Sequence, residues 1–191
     1  MVAESGLTRS EGHEQGGRRD DVTYHVPVMA DEVLRALGAA SGGRFVDGTL
    51  GGGGHARALL EASDAARVLG IDRDPEAIAA SERALVGFSD RFEAVRGRFG
   101  DLGRLVATRS FSPVDGVLLD LGVSSRHLDA ADRGFSFDRD GPLDMRMDPG
   151  GGEPASALLR RIDEEGLATL LRDLGEVRGA RRIARRILEG E

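Results

Sequence analysis

The stretch RFVDGTLGGGGH, residues 44–55, reads as a short apolar strand with an acidic residue at its tip, followed by a glycine run that opens a helix. VLGIDRDP, residues 68–75, repeats the strand-then-carboxylate arrangement with Asp72 at the tip. Glycines let backbone approach a ligand closely and adopt positive φ, and a helix N-terminus offers unpaired N–H groups. A carboxylate that ends the second strand is placed to accept hydrogen bonds from ribose hydroxyls. Together the two stretches predict a nucleotide-like cofactor.

Working outward, further strands are expected at 92–96 and 114–120, and helices at 55–62 and 75–85, the latter with Pro75 at a start where its missing N–H is harmless. Upstream, HVPVMADEVLRAL places Val28, Val33, Leu34 and Leu37 near helical spacing, with Asp31 early in the helix. Strands alternating with helices define parallel βαβ units, hence an α/β, Rossmann-like fold whose ligand crevice lies at the carboxyl ends of the strands. Asp47, Asp72 and Asp120 all fall at such ends. One acid after a strand is as often a cap or a solvated turn; three around a glycine loop favour a site. The fourth run, GVLLDLGVSS, has the continuous apolar character of a central strand buried on both faces.

After Val123 the sequence turns rich in Gly, Asp and Pro and predicts a long loop, followed by helices at 155–160, 164–174 and 176–188. The last carries Arg178, Arg181, Arg182, Arg185 and Arg186 around Ala180, Ile183, Ala184 and Ile187, the pattern of a solvated charged face beside a core stripe. Residues 1–22 hold too few large apolar groups to offset ordering entropy and read as a disordered tail. The expected division is therefore a tail at 1–22, a Rossmann-like half at 23–127, and loop and helices at 128–191.

A chain of 191 residues makes one domain, with room for an appendage. With no cysteine, disulfides, thiolate zinc sites and cysteine nucleophiles are excluded. No apolar run is long enough to span a membrane and no signal pattern opens the chain, so a cytoplasmic protein is expected. The net charge of -7 argues against indiscriminate coating of nucleic acid, though it leaves room for a local basic face. All 26 basic residues are Arg, which a GC-rich genome explains without appeal to function.

Dinucleotide enzymes, methyltransferases and tightly packed turns all use glycine-rich loops. No GKS or GKT follows this one, so a phosphate-cradling P-loop is excluded. Asp47 just upstream suits a ligand with a cationic amine, such as the methionine part of S-adenosylmethionine, better than a pyrophosphate. Asp120, Ser124 and Ser125 are the candidates for positioning a substrate amine: an exocyclic amine is a poor nucleophile, and an acceptor for its hydrogens would orient it. Alignment of nitrogen, methyl carbon and sulfur can be worth about 7 to 11 kcal/mol of barrier, and no metal or covalent intermediate is required.

HVPVM, DGTLGGGGH, GIDRDP, DGVLLDLGVSS, RGFSF and DGPLDMRMD, in this order, closely resemble the bacterial RsmH/MraW family of S-adenosylmethionine-dependent methyltransferases, over about residues 24–188. The resemblance implies methylation of the exocyclic N4 amine of a cytidine in 16S ribosomal RNA of the small subunit. It implies donor contacts at Gly53, Gly54, His55, Asp72, Phe99 and Asp120, and at His127, where the family usually has Gln. It further implies a helical RNA-associated domain inserted after the fourth strand, beginning at about Leu128.

Two departures stand out. GEVRGA, residues 175–180, replaces the family's GEERYA or GEERFA, putting Val177 and Gly179 where an acid and an aromatic are usual. The sequence also reaches Glu191 before the family's returning strands and SFHSLEDR segment. The sheet is then expected to lack its far side, leaving the fourth strand as an edge open to a second copy, so that a homodimer is one expectation. The alternatives to an RNA methyltransferase are a non-catalytic remnant that binds the donor or RNA, and a small-molecule methyltransferase, which the loop RGFSFDRDGPLDMRMD disfavours.

Overall fold

The computed structural model describes residues 27–190, with the side chains of Ser125 and Arg126 outside the described part. The expected tail at 1–22 and the first residues of HVPVM lie outside it as well. Four parallel strands, β1 (Gly43–Asp47), β2 (Ala66–Asp72), β3 (Phe92–Arg96) and β4 (Gly116–Leu118), form one sheet in the order β3-β2-β1-β4. Helices α1 (Ala30–Ala36), α2 (Gly54–Ala62), α3 (Pro75–Ala84) and α4 (Leu102–Thr108) flank it. The α/β fold expected from the sequence is the fold observed.

The strand order locates the site. The chain steps outward from β1 to β2 to β3, then returns to the other side of β1 to make β4. Crossovers that diverge from one strand in this way open a crevice at its carboxyl end, where α/β proteins bind ligands. Register brings Phe45 opposite both Val68 and Gly116, and Asp47 opposite Gly70 and Leu118. Successive residues of β1 then face opposite layers, as strand geometry requires. Phe45 and Val68 pack with Leu59, Leu60 and Leu85, while Val46, Leu69, Ile71 and Val95 pack with Leu105, Val106 and Phe111.

The fourth strand departs from the expectation of a central strand at 114–120. It is three residues long and lies at the edge of the sheet, with Val117 45%, Leu119 43%, Leu121 68% and Val123 44% exposed. Its register with β1 runs only from Gly116 to Leu118; beyond that the Asp120 N–H turns to the Thr49 hydroxyl at 2.7 Å. No described strand pairs with its other side, so the edge that the sequence analysis also anticipates is the one present.

Beyond it come α5 (Ser125–Asp129), a largely irregular stretch, and α6 (Ala155–Arg161), α7 (Glu164–Asp173) and α8 (Ala180–Glu189). Leu167, Ala168 and Ala184 close a small cluster between α7 and α8, and Arg181 and Arg185 both reach Glu164 across it. The last helix starts at Ala180 rather than at 176, because Glu176 and Gly179 take positive φ of 50° and 72° and break the helical path. Among the described residues no helix is long and apolar enough to cross a membrane.

Candidate active site

The site grows from the end of β1. Asp47 is 1% exposed; its Oδ1 accepts the Thr49 N–H at 3.1 Å, and its Oδ2 is buried with no hydrogen-bond partner. Burial pushes its carboxyl up to about 7, against the opposing Thr49 hydrogen bond and with help from the negative charges of Asp72 and Asp120. A buried acceptor without a donor is rare enough to require a reason, and a cationic ligand group supplies one.

The loop from Gly48 to Gly51 is stitched to the ends of two strands, β2 and β4. Gly51 donates its N–H to Asp72 Oδ2 at 2.8 Å, Leu50 donates to the Ile71 carbonyl at 3.0 Å, and Gly48 donates to the Leu118 carbonyl at 2.9 Å. Asp72 Oδ1 accepts the Asp74 N–H at 2.9 Å, and each Asp72 oxygen keeps a second lone pair. Gly53 caps α2 with φ of 85°, and a Cβ there would sit 3.0 Å from Leu85 Cδ1, so both conformation and space call for glycine. No side chain caps α2, which leaves its first N–H groups for an anionic ligand group.

His55, on the first turn of α2, is 8% exposed; its Nε2 lies 3.6 Å from Asp120 Oδ2, and its Nδ1 is buried without a partner. Phe99 is half-exposed, and its Cβ lies 3.2 Å from where a Gly48 Cβ would stand, so the residue sits close against the loop. The structure thus gathers Gly53, Gly54, His55, Asp72, Phe99 and Asp120 around the carboxyl ends of β1, β2 and β4. It adds Asp47 as a buried acceptor and Thr49 as the hydroxyl that ties β4 to the loop. The signal for Thr49 was its place between the acid and the glycine run, which sequence reasoning passed over.

His127 and Ser124 are occupied with each other. The Ser124 N–H and hydroxyl lie 3.2 and 3.0 Å from His127 Nδ1, while Nε2 lies 3.1 Å from Asp74 Oδ2. Because the Ser124 amide donates to Nδ1, the hydrogen of the neutral ring sits on Nε2 and points to Asp74. Arg133, 6% exposed, donates to the same Asp74 oxygen at 2.9 Å and to the Arg146 and Met147 carbonyls at 3.1 and 2.9 Å. Burial opposes the charge of Asp74, but the Glu76 N–H, His127 and Arg133 outweigh it and hold the carboxyl below its ordinary range. Ser125 opens α5 with its backbone; its side chain lies outside the described part.

A parallel sheet whose chain reverses direction at β1, with Asp47, Asp72 and the glycine run gathered at that switch point, defines an α/β domain of the doubly wound class. Residues 22–191 match the MraW methylase family, and the chain belongs to it. It is 52% identical over 163 residues to a ribosomal RNA small subunit methyltransferase H from Anaeromyxobacter sp. (strain K), covering 85% of this chain and 52% of that one. A protein of the same name from Methylobacterium nodulans is 51% identical over 166 residues, covering 86% and 49%. Another, from Granulibacter bethesdensis, is 45% identical over 177 residues, covering 93% and 52%. The chain spans about half the length of the curated relatives it matches.

Proposed function

We propose that the protein binds S-adenosylmethionine and directs its methyl group to the exocyclic N4 amine of a cytidine in 16S ribosomal RNA. Family membership supports the reaction class, and the names of the relatives support the RNA of the small subunit as substrate. The observation that carries the donor assignment is the buried, unpartnered Asp47 oxygen beside the uncapped start of α2. One acceptor and one set of free N–H groups are what an amino acid's ammonium and carboxylate need.

In this reading Asp47 receives the ammonium, Gly53 and Gly54 present the start of α2 to the carboxylate, Asp72 accepts from the ribose and Phe99 lies against the base. When bound, S-adenosylmethionine supplies an electrophilic methyl on a positively charged sulfur. Asp120, its side chain 55% exposed at the mouth of the crevice, accepts the hydrogens of the substrate amine and aims its lone pair. His55 Nε2 lies 3.6 Å from the Asp120 carboxylate on its buried side. Ser124, with Ser125, positions the substrate from the segment after β4, and His127 braces that segment against Asp74 next to Asp72. Residues from about 128 onward act with the RNA, the reaction takes place in the cytoplasm, and the open β4 edge supports pairing of two copies.

Calorimetry tests the donor site, and Asp72→Ala is expected to weaken S-adenosylmethionine binding tenfold or more; equal affinity in the two proteins would remove Asp72 from the site. The purified chain, given donor and undermethylated small subunits, is expected to yield N4-methylcytidine by mass spectrometry. Donor binding without product would remove the transfer step from this chain.

A further inference from the structure

Beside the donor crevice, on the side away from β4, runs a groove of about 540 Å³. Its floor is made by Arg73, one residue past Asp72, and by Arg96, Gly97 and Arg98 just before Phe99; its far wall runs from Met145 to Gly152. The two acids that line it are already matched, Asp148 to Arg96 at 2.7 Å and Asp101 to Arg104 at 3.6 Å. Arg146 on the far wall is held by both oxygens of Asp144, at 2.9 and 2.7 Å. Arg73 and Arg98 are exposed, and neither has an ion-pair partner among the described residues. The charge left over in the groove is therefore positive, in a chain whose net charge is -7.

We propose that this groove holds the phosphodiester backbone of the single RNA strand that carries the target nucleotide, with Arg73 and Arg98 as the phosphate-binding residues. The inference rests on the proposed RNA substrate and adds to it the place where the strand runs. Guanidinium forks match phosphate oxygens in pairs, which favours Arg here over a merely diffuse positive field. Arg96 and Arg146, already fixed by carboxylates, shape the walls, and Gly97, Gly151 and Gly152 let a ligand backbone come close. Because Arg73 adjoins Asp72 and Arg98 adjoins Phe99, a strand anchored there delivers its neighbouring base toward the crevice mouth.

The test is fluorescence anisotropy of the chain with a labelled single-stranded oligoribonucleotide of about twelve nucleotides, across a salt series. R73Q/R98Q is expected to bind it tenfold or more weakly, and removing two phosphate contacts should reduce the salt slope by about 1.4. R35Q/R83Q, which removes the same charge from exposed positions outside both the groove and the segment from about 128 onward, is expected to stay within twofold of the wild type, and both variants should keep donor affinity within twofold. Equal losses in the two variants, an unchanged R73Q/R98Q, or a wild type that binds donor but no RNA would each overturn the groove. Competition by polyglutamate as effective as by RNA would assign it instead to an acidic protein. Loss of donor binding in the wild type would strike the proposed function alone, so the two failures are distinguishable.

Discussion

Asp47 and Asp74 end or follow neighbouring strands, and burial raises both, yet their partners send them in opposite directions. Asp74 is buried with an arginine, a histidine and a backbone N–H, so its ion is the favoured form. Asp47 is buried with one backbone donor and two acidic neighbours, so its neutral form is favoured up to about pH 7. The stability that Asp74 lends is present above its ordinary value and lost as pH falls through its lowered one. For Asp47 the sign reverses: its contribution is complete below the ordinary carboxylate value of 3.8 and lost as pH rises through about 7, a swing on the order of 4 kcal/mol. Urea midpoints of the donor-free protein should therefore fall between about pH 4 and about pH 7, and Asp47→Asn should flatten the slope. Donor affinity should rise in the wild type as pH passes through about 7, where the carboxylate forms in the folded protein, and drop tenfold or more in Asp47→Asn. A wild-type midpoint that does not move with pH would refute the buried charge. Of this the sequence showed the acid and its neighbourhood; it could not show that one oxygen is left without a donor, which depends on how Thr49 and the loop close around it.

At the scale of elements, the stretch after α5 is held by one buried arginine. Arg133 joins the cap of α3 to the carbonyls of Arg146 and Met147, and so fixes both ends of the RGFSF to DMRMD segment on the end of β2. Replacing Arg133 by Met leaves the Asp74 carboxylate buried without its cation, and a loss of about 3–5 kcal/mol in unfolding free energy is expected. Adding Asp74→Asn should recover part of it, whereas a double variant as unstable as the sum of its parts would show that the pair does not act as one unit. The elements that local pattern defines were legible: β1 to β3, α2 and α3 fall within two residues of their predicted bounds, because alternation, glycine and Pro75 set them nearby in sequence. The tie from Arg133 to Asp74 was not, since it links residues 59 apart and no spacing rule reaches that far. The same reason explains β4, whose apolar run says that its side chains avoid water but not how many strands stand beside it. Gly179 is a further case: only its left-handed backbone reveals that the helix begins after it.

At the scale of the whole molecule, neither outer strand of the sheet has a further strand partner among the described residues, and β4 is the edge with the more exposed apolar side chains. Phe92 to Arg96 of β3 are shielded in part by α3 and α4, whereas β4 offers Val117 and the residues after it to solvent at the sheet's other margin. An apolar strand edge carries unpaired N–H and C=O groups and pairs readily with another chain unless charge or a bulge prevents it. Asp115 and Asp120 flank this edge, Asp115 accepting the Arg44 N–H at 2.8 Å and Asp120 lying near His55, while Val117 and Leu119 between them stay exposed. The 20.3 kDa chain is therefore expected to show a scattering mass above that of a monomer, rising with concentration. Val117→Lys places a charge on the edge without touching the crevice, and should return the mass toward the monomer while donor affinity stays within twofold. If the wild type holds the monomer mass at high concentration, the edge is not an association surface. If Val117→Lys restores the monomer but abolishes donor binding, edge and crevice are coupled through the Leu118 carbonyl that receives the Gly48 N–H, and pairing of two copies would then bear directly on the glycine loop.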